Sequence, residues 1–144
     1  MDYNATEMMA CAASRVLEDC RSVLVGTGLP IVAATLAQRS PAPNLLVIFE
    51  AGGIGPRIPM IPISVGDSRT FHRAVMAASM DYVMGCAQQG HVDYAFLGAA
   101  QIDPYGNINS SLLGGSFQQP ERRFGGASGA NEIASLCWRT IIHT

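Results

Sequence analysis

Leu45-Leu-Val-Ile-Phe49, closed by Glu50-Ala51-Gly52-Gly53, is the stretch on which the fold of this chain turns. Its apolar residues follow one another without alternation, so neither side of the segment is left for water. That is the pattern of a strand in the middle of a parallel sheet with helices over both faces. The breaker Ser40-Pro-Ala-Pro-Asn44 stands just before it. Upstream, Ser22-Val-Leu-Val25 runs into Gly26-Thr27-Gly28, and Pro30 opens Ile31-Val-Ala-Ala-Thr-Leu-Ala-Gln-Arg39. This reads as strand, glycine turn and helix, with Pro where a first helical turn tolerates it. Nearer the start, Met8, Met9, Ala12, Ala13, Val16 and Leu17 fall at helical spacing, and Asn4 with Glu7 offers an N-cap and its reciprocal partner. A helix of about four turns is expected there.

Downstream, residues 51–66 are loop-like, residues 67–88 read as a further helical stretch, and Val92-Asp-Tyr-Ala-Phe-Leu97 is a third strand ending at Gly98. Strands alternating with helices in this order imply an α/β fold, an open and mostly parallel sheet with helices on both faces. From Asp103 on the chain is richer in Gly, Asn, Ser and Gln, Asp103-Pro-Tyr-Gly106 has the chemistry of a turn, and Trp138-Arg-Thr-Ile-Ile-His143 looks like a last strand. With 144 residues, no internal repeat and no linker, one domain over 1–144 is the expectation.

Composition narrows the function. Apolar residues make up 49%, charged residues 14%, and the formal net charge is -2, which argues against disorder and against an electrostatic grip on nucleic acid. The basic residues are nine Arg with no Lys, so lysine Schiff bases, P-loop lysines and polylysine patches are excluded. No apolar run approaches the ~18 residues of a bilayer span, and the opening Met1-Asp-Tyr-Asn-Ala-Thr-Glu7 lacks the pattern of a signal peptide. A soluble cytoplasmic protein with no membrane contact is expected. Cys11, Cys20, Cys86 and Cys137 form no C-x-x-C pair, so neither a disulfide framework nor a metal site is signalled. The thin coat of charge suggests a surface that meets a partner.

In open parallel sheets ligands bind at the carboxyl ends of the strands. Three glycine-rich or polar turns would meet there: Gly26-Thr27-Gly28, Glu50-Ala51-Gly52-Gly53 and Gly98-Ala-Ala-Gln101. The first, followed by Glu50 some twenty residues on, suggests a dinucleotide fingerprint, but its third glycine is replaced by Ile31. Glu50 is the more telling group. A carboxylate at the end of a buried strand loses hydration, which backbone amides or a cation must replace. The glycines at 52, 53 and 55 leave room for amides or for a bulky substrate. His72, His91 and His143 stand at no diagnostic spacing and read as surface or packing residues, while Arg69 beside Asp67 could pair with it or face an anionic substrate.

The blocks Val25-Gly-Thr-Gly-Leu-Pro30, Val47-Ile-Phe-Glu50-Ala51, Ser64-Val-Gly-Asp-Ser-Arg69, Leu97-Gly-Ala-Ala-Gln-Ile-Asp-Pro-Tyr-Gly-Asn-Ile-Asn-Ser110 and Arg123-Phe-Gly-Gly-Ala-Ser-Gly-Ala-Asn131 carry a resemblance over nearly the whole chain. In order and content it resembles the family I CoA-transferases, most of all the B subunits of the glutaconate branch. Glu50-Ala51-Gly52 stands where the wider family often has Glu-Asn-Gly.

The resemblance implies a sheet of the NagB/RpiA-like type and Glu50 as nucleophile. It also implies the Gly129 amide as an oxyanion donor, with Gly126 as the competing position. Gly26, Gly28, Gly52, Gly98 and Gln101 would line the substrate and CoA site. Coenzyme A would be a substrate, no cofactor or metal would be bound, and an A subunit would complete a hetero-oligomer acting on an acyl-CoA and a carboxylic acid. Ile54, Pro56 and Ile58 are expected to keep water from Glu50. The resemblance covers about the first half of a usual B subunit. Two alternatives therefore stay open: a CoA-thioester or ring-opening hydrolase on the same scaffold, whose members tend to lack the glutamate, and a non-catalytic partner subunit.

Overall fold

A computed structural model describes residues 2–144. Helix α1 (Ala5–Val16) opens on Asn4, whose side chain accepts the Glu7 amide while the Glu7 carboxylate accepts the Asn4 amide. The reciprocal cap expected from the sequence is thus formed, on a helix of 12 residues, a little shorter than foreseen. Strand β1 (Ser22–Val25), helix α2 (Leu29–Arg39), strands β2 (Leu46–Phe49), β3 (Gly53–Ile54) and β4 (Met76–Ala77), helix α3 (Met80–Gln88) and strand β5 (Tyr94–Gly98) follow. Two small hairpins, β6 (Gln101–Ile102) with β7 (Ile108–Asn109) and β8 (Leu112–Leu113) with β9 (Arg122–Arg123), precede helix α4 (Ala130–Leu136) and strand β10 (Arg139–His143).

Six strands form one sheet in the order β10-β5-β1-β2-β3-β4. β10, β5, β1 and β2 run parallel, and β3 and β4 add an antiparallel edge. Side chains alternate across it. Val23, Val25, Val47, Phe49, Tyr94 and Phe96 enter a core with Ile31, Ala34 and Ala37 of α2, while Leu24, Ile48, Ala95 and Leu97 enter another with Val83 of α3 and Ile133 of α4. Helices on both faces explain why β5, β1 and β2 carry no polar alternation. Among the described residues no helix is long and apolar enough to cross a membrane.

One expectation fails. Residues 67–88 are not one helical stretch: Ser68–Phe71 make a single 3-10 turn, β4 follows, and α3 begins only at Met80. Local bonds compete with the helix. Asp67 accepts the Arg69 amide at 2.9 Å, and the buried Thr70 hydroxyl donates to the Asp67 carbonyl at 2.7 Å. The Ala78 amide then donates to the Gly52 carbonyl at 2.9 Å, drawing the chain onto the sheet edge. The reading of 51–66 as loop likewise missed β3, which contains only two residues.

Candidate active site

Parallel alignment brings the carboxyl ends of β1, β2, β5 and β10 to one edge. Glu50 is the first residue after β2 and is half-buried. It borders a cleft of about 300 Å³, together with Gly26 and Thr27 after β1, Gly98 at the end of β5, Ser110, residues 126–130 and His143. The walls are Leu24, Val25, Pro30, Phe96, Leu97 and Ile133. The shield expected from Ile54, Pro56 and Ile58 is therefore supplied by other residues. Ile58 packs beneath the α2 side of the sheet and Ile54 against the α3 and α4 side, because the antiparallel turn carries both away from the cleft.

Gly129 caps the start of α4 directly beside the carboxylate. A Cβ on it would stand 3.0 Å from Glu50 Oε1 and 3.3 Å from Met84 Cε, so with any side chain here both ends would have to give by a few tenths of an ångström. Of the two glycines that compete as amide donors, Gly126 is committed: its N–H donates to the Ser110 carbonyl at 3.0 Å. Ser128, between them, holds φ at 44°, a left-handed conformation that a residue with a Cβ adopts only when its surroundings impose it.

Gly26, Glu50, Gly98 and Gly129 of the expected site share this cleft, whereas Gly28, Gly52 and Gln101 are not among the residues lining it. Gly28 precedes α2 as its N-cap, at φ 82°. Gly52, at φ 114°, is required by packing, since a Cβ would fall 2.0 Å from the Ala78 carbonyl oxygen. Gln101 is drawn off by its hairpin, where its Oε1 accepts from Asn109 Nδ2 at 2.9 Å. Arg69 is likewise occupied. Its Nε donates to both Asp67 oxygens, at 2.9 and 3.0 Å, and an Nη donates to the Ile61 carbonyl. The guanidinium beside Asp67 holds that carboxyl well below the usual range.

Of the residues that the sequence left aside, His143 lines the cleft, while Met84 and Cys137 stand outside its lining. His143 ends β10 with its ring 3.5 Å from the position a Cβ on Gly98 would take, and burial lowers its pKa from 6.5. Its place at the carboxyl end of a parallel strand was a usable signal. Met84 reaches the site across the packing of α3 on α4, which no local pattern announces. Cys137 is packed beneath α4 and its thiol is pushed up to about 11 by burial, which leaves it an unreactive core group.

A cleft at the carboxyl ends of parallel strands, with one carboxylate set against the glycine-capped start of a helix, defines an α/β protein with its candidate site where such folds bind ligands. Residues 6–144 match the family model described as coenzyme A transferase, and the chain belongs to that family. It is 38% identical over 141 residues to the B subunit of the 3-oxoadipate CoA-transferase of Pseudomonas knackmussii, covering 97% of this chain and 54% of the relative. It is 36% identical to the B subunit of the glutaconate CoA-transferase of Acidaminococcus fermentans, covering 98% and 54%. The crystal structure of glutaconate coenzyme A-transferase from that organism superposes with a TM-score of 0.88 at 36% identity, over 98% of this chain and 55% of that one. The decarboxylase AibA/AibB gives 0.86 at 26% identity, over 98% and 59%. The chain thus spans about half the length of the curated relatives it matches.

Proposed function

We propose that this chain is the B-type part of a CoA-transferase that moves CoA between an acyl-CoA and a carboxylic acid through a glutamyl-CoA thioester on Glu50. The observation that carries this reading is the half-buried Glu50 carboxylate at the end of β2, against Gly129, in a cleft with apolar walls.

A Glu50 oxygen attacks the thioester carbonyl, the C–S bond breaks, and an acyl-glutamyl anhydride forms with CoA thiolate as leaving group. The thiolate attacks the glutamyl carbonyl, the anhydride C–O bond breaks, and the first acid departs. A second carboxylate reverses both steps and leaves with CoA, returning Glu50. Each attack creates an oxyanion, for which the Gly129 amide is the favoured donor because that of Gly126 is already bonded within the loop. Gly26 and Gly98, which have no side chain to obstruct the cleft, would border the acyl and pantetheine groups, with Gly28 and Gly52 shaping the turns behind them.

The acyl group is a short dicarboxylic one of the glutaconate or 3-oxoadipate kind, by analogy with the named relatives. The partner is an A-type subunit, as the designation of both relatives as B subunits suggests. Unpaired Cys11, Cys20, Cys86 and Cys137 accord with a reducing cytoplasm. To test the mechanism, the assembled protein is incubated with acyl-CoA, reduced with borohydride and digested for mass spectrometry. The reduction product is expected on Glu50 alone, and Glu50→Ala should lose all detectable transfer. Label on another residue, or full activity in Glu50→Ala, would overturn the reading.

A further inference from the structure

Three groups converge above the start of α4: the Glu50 carboxylate, the Cα of Gly129 and the methyl of Met84. Glu50 Oε1 and Met84 Cε lie 3.0 and 3.3 Å from the point a Cβ on Gly129 would take, so carboxylate and thioether stand side by side over the bare face of that glycine. Met84 is held in place from behind. It lies on α3 next to the fully buried Val83 and packs into the core that Ile133 of α4 shares with Leu97 of β5. The loop it meets is under backbone strain, since Ser128 immediately before Gly129 has φ of 44°. Such a conformation persists only where neighbours over-determine it.

We propose that Met84 is a positioning residue for CoA transfer: its side chain packs beside the Glu50 carboxylate over Gly129, holds the carboxylate in place and shields that flank of the glutamyl-CoA thioester from water. The inference rests on the reading of Glu50 as nucleophile and goes beyond it to a residue on a different helix. A thioether suits the task, because it is unbranched enough to follow the small shifts between carboxylate, anhydride and thioester while carrying no strong hydrogen-bonding group for water. Without it, water adds to the glutamyl carbonyl, the C–S bond breaks, and Glu50 carboxylate, free CoA thiol and a proton result. The transferase would then act in part as a thioesterase.

The test measures, on the assembled protein, CoA transfer to an acceptor acid and CoA thiol released from acyl-CoA when no acceptor is present. In Met84→Ala, transfer kcat is expected to fall roughly ten- to a hundredfold through misplacement of the reacting groups. KM should change little, and thiol release per transfer event should rise. Met84→Leu, which restores an apolar side chain of similar volume, should recover most of the transfer and suppress the leak. Should Met84→Ala fail to assemble, Met84→Gln keeps the length and brings a polar end, so the leak is expected there. An unchanged ratio of thiol release to transfer in the assembled variants would overturn the proposal, even with wild-type transfer and Glu50 trapping intact. Absence of trapping and transfer in the wild type would instead overturn the reading on which it rests.

Discussion

The two ends of the same parallel sheet treat their charges in opposite ways. At the amino end Asp93 accepts from the Ser22 amide at 2.8 Å, from the Ser22 hydroxyl at 2.9 Å and from Arg21 at 3.2 Å, and Arg139 reaches Glu18 at 3.7 Å. The cavity there, about 450 Å³, is larger than the cleft at Glu50, yet its charged groups engage one another. At the carboxyl end Glu50 takes no part in the ion pairs of the described residues and faces apolar walls and a glycine. A carboxylate surrounded by donors holds strands together, whereas Glu50 has no such task, in keeping with the nucleophilic role proposed for it. Size alone would have pointed to the end where the charges are paired.

The comparison can be broken most severely at Gly129. Alanine there brings a methyl to 3.0 Å from Glu50 Oε1 and 3.3 Å from Met84 Cε, so the carboxylate or the loop must move. If this displaces the amide proposed as oxyanion donor, kcat for transfer should fall about 10²–10³-fold. Circular dichroism and partner assembly should stay near wild type, because α4 keeps its apolar contacts. Wild-type turnover in Gly129→Ala would show that the glycine serves the backbone only.

What was legible in the residues follows the same division. Val23, Val47, Phe96 and their neighbours form runs whose burial on both faces is visible locally, so β1, β2 and β5 were readable, as was the Asn4 and Glu7 cap of α1. The antiparallel edge was not. β3 and β4 have two residues each, and their pairing depends on Gly52 and Gly53 lying against Ala78 and Thr70, contacts distant in sequence. The false helix at 67–79 arose because the bonds among Asp67, Arg69 and Thr70 do not show in an apolar period. At the site, Glu50 and Gly129 were reached through a resemblance spread over several blocks. Met84 and the walls from Phe96 and Ile133 come together only when helices and sheet pack, and the bond that keeps Gln101 on Asn109, outside the lining of the cleft, shows in no local pattern.

A smaller effect is expected at the amino end. Asp93→Ala leaves the Ser22 amide, on a residue only 6% exposed, without its acceptor, while the Ser22 hydroxyl keeps the His91 carbonyl at 3.0 Å. Loss of such a partner costs about 1–3 kcal/mol of stability. Denaturant midpoints should report it, while kcat and the ratio of thiol release to transfer stay as in the wild type. A loss of transfer without a loss of stability would mean that the two ends are coupled.

The smallest effect lies in the pH dependence and separates the ends again. Burial raises the Asp93 pKa, but the Ser22 amide and hydroxyl, with Arg21, outweigh it and hold the group below its ordinary 3.8. Its contribution is present above that value and is lost as pH falls through the folded-state value, because the unfolded chain takes up the proton first. Asp67 beside Arg69 acts in the same direction. His143, at the cleft, is depressed from 6.5 by burial. In acid the unfolded chain again binds the proton more readily, so this part of the stability is present above 6.5 and is lost as pH falls through the lower folded-state value. Stability should therefore decline gently just below about pH 6.5 and more steeply below about pH 4. His143→Gln should flatten the first decline and Asp93→Asn should lessen the second. Denaturant midpoints of the wild type and both variants across this range test the assignment, and a first decline that survives His143→Gln would refute it.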